Sequence, residues 1–218
     1  MDDETRRIME EFGNLIDEET AKMLAMEKRG ERRGSRIKEL RDGKTWLYGV
    51  VEKIAKEENP LLAVLGDETG HCILKIWGET YAIMEGDVIK IVNAWAKRGM
   101  RGMEVNVGKY GRIVKMEGSI ETKIAFGKGE GLFNLRGTIE KIYPTQVYLG
   151  KNETFVRKII VDREEIYLLD EMAKEMNRFK ENEEIVLLWL HERNGRIYGD
   201  EVSMILKPEE FEKRYEGE

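Results

Sequence analysis

Apolar positions along this chain follow two different periods. In the first thirty residues Ile8, Phe12, Leu15 and Ile16 recur at helical spacing, and the run breaks at Gly13-Asn14. Asp17 then restarts it as an N-cap, so two short helices are predicted. The following GERRGSRIKELRDGK mixes charges of both signs with interior glycines and reads as a linker holding at most one helical turn. From Thr45 the period becomes two. TWLYGVVEKI alternates Trp46, Tyr48 and Val50 against Leu47, Gly49 and Val51, the pattern of a strand. LLAVLGD and HCILKIW read as two strands joined at Glu68-Thr69-Gly70, where glycine is available for positive φ. TYAIMEG is long enough for one or two helical turns ended by Gly86. DVIKIVNAWA and MEVNVGKYGRIVKM supply two further strands, separated by a basic loop, KRGMRG.

Three strands, a short helix and two strands in this order describe an OB fold, a five-stranded, partly open barrel. The theme returns after a Gly-containing connection, EGSIETKIAFGKGE. LFNLRGTIEKIY, FVRKIIVD and IYLL read as strands, LDEMAKEMNRFK as a helix, and EIVLLWLHE and RIYGDEVSMIL as closing strands. GTIEKIY echoes GVVEKIA. The expected fold is therefore mainly β: two OB-fold five-stranded barrels in tandem with a short N-terminal helical segment. The expected divisions are a helical segment over 1–29, a basic linker over 30–44, a first OB domain over 45–116 and a linker over 117–130. A second, divergent OB-like domain spans 131–206, and an acidic tail covers 207–218.

Composition narrows the chemistry. One cysteine, Cys72, and two histidines, His71 and His191, leave no disulfide framework and no Cys/His zinc site within the chain. The early acids and the lack of a long apolar run predict a protein that is neither exported nor membrane-embedded, in the cytoplasm. Net charge is −6, but it is unevenly spread: residues 28–44 carry eight Lys/Arg against three acids, residues 97–115 six against one, and the surplus of acid falls after residue 117. Local basic patches matter more than the total where a ligand meets one face.

GDETGHCILKIWGE followed by EGDVIKIVNAWAKRGMRGMEVNVGKYGRIVKM resembles the single-stranded-DNA-binding OB domains of the replication protein A family, in particular its archaeal members. IMEEFGNLIDEETAKMLA is similar to the helical leader ahead of their first OB domain. The resemblance is dense over 45–116 and thin after 145. It implies binding of single-stranded nucleic acid without catalysis: rings on the barrel stack on bases while Lys and Arg follow the phosphates.

Trp77 matches the family's stacking aromatic at the end of the third strand. The second aromatic of the family lies near the loop between strands four and five, where this chain has Met100 and Met103. A methionine covers a base face by dispersion but has no ring. Trp95, Trp46 and Tyr48 are the compensating candidates, with half-buried strand aromatics as the alternative reading. Lys97, Arg98 and Arg101 in the loop, Lys75 beside Trp77, and Lys109 and Arg112 further on are the candidate phosphate contacts. In the second barrel Leu169 falls where Trp77 sits, and its acidic balance points to packing, dimerisation or partner docking in place of nucleic-acid binding.

Other chemistries fall away. Gly102 to Gly108 is one residue too long for a phosphate-binding loop, and Tyr110 stands where Ser or Thr is required. Asp67, Glu68 and Glu79 read as turn acids that satisfy backbone donors in preference to a cation site, so no metal and no cofactor are expected. No nucleophile, base and orienter come together, which argues against an enzyme. The resulting expectation is a protein that coats single-stranded DNA in replication, recombination or repair. Its partners would be single-stranded DNA or RNA and other replication or repair proteins, with homo- or hetero-oligomers formed through the second barrel. The rivals are an RNA-binding OB protein and a degenerate paralogue serving as a protein scaffold.

Overall fold

A computed structural model describes the chain except residues 1, 31–33, 79–81, 151 and 218. It divides into two compact units, Met1–Gly99 with Met103–Lys123, and Met100–Gly102 with Ile124–Glu218.

The first unit opens with α1 (Asp3–Glu11) and α2 (Glu18–Lys28). Asp2 and Asp17 cap them, accepting from the Thr5 and Thr20 amides at 2.6 and 2.8 Å, which satisfies one of the donors that each helix start leaves open. Between the helices Gly13 and Asn14 both take positive φ, which ends the first helix where the period broke. The stretch read as a linker is partly built in: Ile37–Glu39 forms a turn of 3₁₀ helix, and Ile37 and Leu40 enter the barrel core. Arg32 and Arg33 lie outside the described residues.

Six strands follow: β1 (Gly43–Lys56), β2 (Leu61–Asp67), β3 (Gly70–Ile76), β4 (Val88–Gly99), β5 (Gly102–Val107) and β6 (Arg112–Lys115). β1 is long enough to pair with β4 through its first half and with β2 through its second. β3 runs parallel to β5. The ring β1-β2-β3-β5-β4 thus closes, with β6 added on β4. Asp67 holds the β2–β3 turn. Its Oδ1 accepts from the Thr69 and Gly70 amides at 2.7 and 3.1 Å, and its Oδ2 from the Ile37 amide at 2.8 Å.

Two expectations need correction. KRGMRG is not a loop: β4 continues through Lys97 and Arg98 to Gly99, and β5 begins at Gly102, whose positive φ allows a tight turn. MEVNVGKYGRIVKM is not one strand, because the Gly108–Gly111 turn splits it into β5 and β6. Residues 80 and 81 of the expected helix lie outside the described residues, and 82–87 form coil and a turn with Ile83 in the core.

The second unit repeats the plan with β7 (Phe133–Ile142), β8 (Gln146–Leu149), β9 (Glu153–Val161), β10 (Glu164–Leu169), β11 (Glu184–Arg193), β12 (Arg196–Gly199) and β13 (Met204–Leu206). The ring is β7-β9-β10-β12-β11-β7, again with one parallel pair, β10 with β12. Between β10 and β11, α3 (Glu171–Glu175) and the turn after it place Met172, Met176 and Phe179 in the core. Both units therefore have the OB-fold strand order. The extra edge strand β8 stands where no strand was expected. The C-terminal residues are likewise folded: α4 (Pro208–Phe211) buries Phe211, and Arg178 pairs with Glu210 at 3.0 Å.

Candidate nucleic-acid interface

Strand alternation decides which side chains the first barrel shows. Cys72, Leu74 and Ile76 of β3 point into the core, so Lys75 and Trp77 point out. Ala94 and Ala96 of β4 face in, so Trp95 faces out. Val105 and Val107 of β5 face in, so Glu104 and Asn106 face out. Trp77 is 45% exposed and Trp95 56%, values that no core position shows. Asn106 lies between them. The Trp77 indole N–H donates to Asn106 Oδ1 at 3.1 Å, and the Asn106 amide donates to the Trp95 carbonyl at 3.5 Å. The Trp77 backbone amide is fixed to the Val107 carbonyl at 2.8 Å, so the ring leaves the sheet from an anchored position.

The other aromatic candidates are elsewhere. Trp46 is 2% exposed, packed with Ile8, Ile16, Leu24 and Val92 beneath α1 and α2. Its side chain does leave the barrel, as the alternation implied, but the two helices cover that side. Tyr48 lies at the rim of the same cluster. Its hydroxyl is bound to Glu27, and burial together with that carboxylate pushes its ionisation well above the ordinary phenol range. Lys90 closes the group, 5.5 Å from the Trp46 ring and 5.2 Å from the Tyr48 ring, with Glu27 at 2.6 Å. Met103 packs against the barrel core. None of these three is placed to stack on a ligand.

The cations divide similarly. Lys97 and Arg98 are exposed at the end of β4, two and three residues beyond Trp95. Lys75 is held by the buried Glu104 at 2.8 Å. Lys109 is exposed in the β5–β6 turn, over the Tyr110 ring at 5.6 Å, and Arg112 folds back to the Gly111 carbonyl at 2.9 Å. Arg101 is the clear correction. Its guanidinium is bound to Asp200 and Glu201, each at 2.7 Å. Burial works against its charge, but the two carboxylates outweigh that and hold the proton more firmly than usual. It is committed to an internal ion pair and not offered to a phosphate.

Asn106 and Tyr110 went unnoticed in the sequence. Asn106 was findable as a polar residue flanked by Val105 and Val107, on the outward side of the alternation. Glu79 lies outside the described residues, and among those described no cluster of His, Cys, Asp and Glu could hold a metal ion. Among them, too, no helix is long and apolar enough to cross a membrane.

Over 54 residues the chain is 39% identical to the single-stranded DNA binding protein Ssb of Saccharolobus solfataricus, a match covering 24% of this chain and 36% of that protein. This is an OB-fold chain similar to single-stranded-DNA-binding proteins. The match spans only about a third of the relative's length. Among solved structures, a replication protein A heterotrimer bound to ssDNA aligns with 84% of this OB-fold chain and 54% of its own, at 12% identity and a TM-score of 0.44. An OB domain from Methanosarcina mazei aligns with 44% of this chain and 95% of its own, at 21% identity and a TM-score of 0.38. No protein-family model matches. The OB assignment rests on the strand order and ring closure of the two units.

Proposed function

We propose that the first barrel binds single-stranded DNA with little sequence preference, and that the protein coats such strands during replication, recombination or repair. The carrying observation is the pair of exposed indoles, Trp77 and Trp95, on the outer face of β3, β5 and β4, with Asn106 between them accepting from the Trp77 indole and donating to the Trp95 backbone carbonyl. Stacking on a ring tolerates any base, because every base has a π face, and Lys97 and Arg98 are at hand for phosphates. The similarity to a single-stranded DNA binding protein supports the same reading. The binding role belongs to residues that touch the strand, so no catalysis is assigned.

The test is anisotropy of a labelled oligo(dT) titrated with the full chain and with Trp77→Ala. Tight, salt-sensitive binding that weakens in the variant is expected, since phosphate contacts release counterions. Equal affinity of the two proteins would remove Trp77 from the site. Competition by oligo(U) decides between DNA and RNA, because stacking by itself does not sense a 2′-OH.

A further inference from the structure

Alternation puts Lys75, Trp77, Glu104 and Asn106 on one outer face of the first barrel. β3 and β5 run parallel there, with Ile73 beside Glu104 and Lys75 beside Asn106. Lys75 therefore stands one step before Trp77, on the face that carries both exposed indoles, where a cation would meet a bound strand. Its ammonium is nevertheless turned to Glu104, 2.8 Å away. The carboxylate is sunk in the face: the Glu104 side chain is 6% exposed, that of Lys75 23%. Gly99 of β4 makes the room, since a Cβ at that position would strike the Glu104 carboxyl.

An acid buried in a surface that meets a polyanion calls for a reason. Taking a carboxylate out of water needs compensation, and Lys75 supplies it. The pair then carries no net charge, so this part of the face neither draws nor repels phosphate. Glu104 is too covered to accept from a base itself. What it does is occupy the ammonium. The exposed Lys97 and Arg98 stand further along, at the end of β4.

We propose that Glu104 is a built-in brake on affinity: by holding Lys75 it keeps a cation of the binding face away from phosphates, so that a single strand is gripped mainly by its bases and is readily displaced. The proposal rests on the reading of the first barrel as a single-strand binder. It gives Lys75 and Glu104 a joint role opposite in sign to that of an ordinary phosphate contact. Glu104 acts through Lys75 and is a positioning residue. The lysine stem is long enough to carry the ammonium to the surface once the carboxylate is neutralised.

The test uses the full chain and a labelled oligo(dT). Glu104→Gln should bind about two- to fivefold more tightly than the parent at low salt, the gain of one surface charge contact. The slope of log K against log salt should steepen by about 0.7, so the gain shrinks as salt rises. Dissociation of a preformed complex into excess unlabelled oligo(dT) should slow by a similar factor. Adding Lys75→Met to Glu104→Gln should return affinity and slope to the parent values, because the gain runs through Lys75. Glu57→Gln removes an equal charge from the exposed β1–β2 loop without touching the pair, and should leave the slope near the parent's.

Equal or weaker binding by a folded Glu104→Gln overturns the brake. So does a gain that survives Lys75→Met, or one that Glu57→Gln matches. A melting curve on the same preparation shows whether the variant is folded; if it is not, Glu104→Asp, which draws the carboxylate back from Lys75 by one methylene, is read in its place with the same expected sign. Absence of binding by the unmodified chain would instead overturn the single-strand reading, and the brake with it.

Discussion

The indole N–H of Trp77 donates to Asn106 Oδ1 at 3.1 Å, which ties an exposed ring at the end of β3 to a side chain of β5. A tryptophan that is 45% exposed has rotamers to lose on binding, and this bond removes some of that freedom beforehand. Asn106→Ala should therefore lower affinity for oligo(dT) severalfold while thermal unfolding moves little. Anisotropy and a melting curve on the same preparation separate the two effects, and a large fall in Tm would make Asn106 a structural residue.

Trp77→Ala and Trp95→Ala should each cost about 1–3 kcal/mol of binding, or roughly 5- to 150-fold in Kd, if each ring carries one base. Both rings are exposed, so folding should be unaffected. Quenching of intrinsic tryptophan fluorescence by the oligonucleotide should shrink with each substitution, since the remaining tryptophans, Trp46 and Trp189, are buried.

Trp46→Ala tests the opposite assignment. Its ring fills the space between α1, α2 and the barrel, and truncating a buried tryptophan costs about 3–5 kcal/mol. Denaturant unfolding should show that loss. Where the variant remains folded, its affinity for oligo(dT) should match the parent's.

Lys97 and Arg101 should differ in their salt dependence. Each phosphate contact to a single strand contributes about −0.7 to the slope of log K against log salt. Lys97→Ala should flatten that slope by about this amount. Arg101→Met should leave it unchanged but destabilise the fold by about 3–5 kcal/mol, because Asp200, 5% exposed, is left as an unpaired buried charge.

His191 makes stability depend on pH. Burial depresses its pKa below the ordinary 6.5, with the Arg101 charge adding to the effect and Asp200 opposing it. The folded chain therefore resists protonation at this site while the unfolded chain accepts it. Stability from this residue is complete above about pH 6.5 and is lost as pH falls below that value. Urea midpoints between pH 7.5 and 5 should fall, and His191→Gln should lessen the fall.

Alternation and turn chemistry made the barrels legible before any coordinates. The D-E-T-G turn placed β2 and β3, and the helix before β11 was visible from LDEMAKEMNRFK. Direction was harder to read. Trp46, Trp77 and Trp95 all leave the barrel, and nothing local distinguishes the one that two helices cover from the two that stay open. Arg101 looked like its neighbours Lys97 and Arg98, because its partners, Asp200 and Glu201, are about a hundred positions away. The groove of the second barrel lined by Tyr143, Tyr148, Tyr167 and Tyr198 was hidden for the same reason. Tyr148 lies on the short strand β8 just after Pro144, which the reading of the period passed over, and only ring closure brings Tyr167 and Tyr198 beside it.

The burial of Trp46 and Val92 under α1 and α2 sets a practical lower limit on the binding module. A fragment starting at Gly43 would keep every strand of the ring but lose Ile37 and Leu40 from the core and uncover a tryptophan, a valine and the cation stacked beside them. Such a fragment should self-associate through that new oily patch, and its apparent DNA affinity would then report on aggregation. The smallest faithful reporter of the Trp77 and Trp95 face therefore begins at the first helix, and light scattering of the two fragments side by side would show the difference.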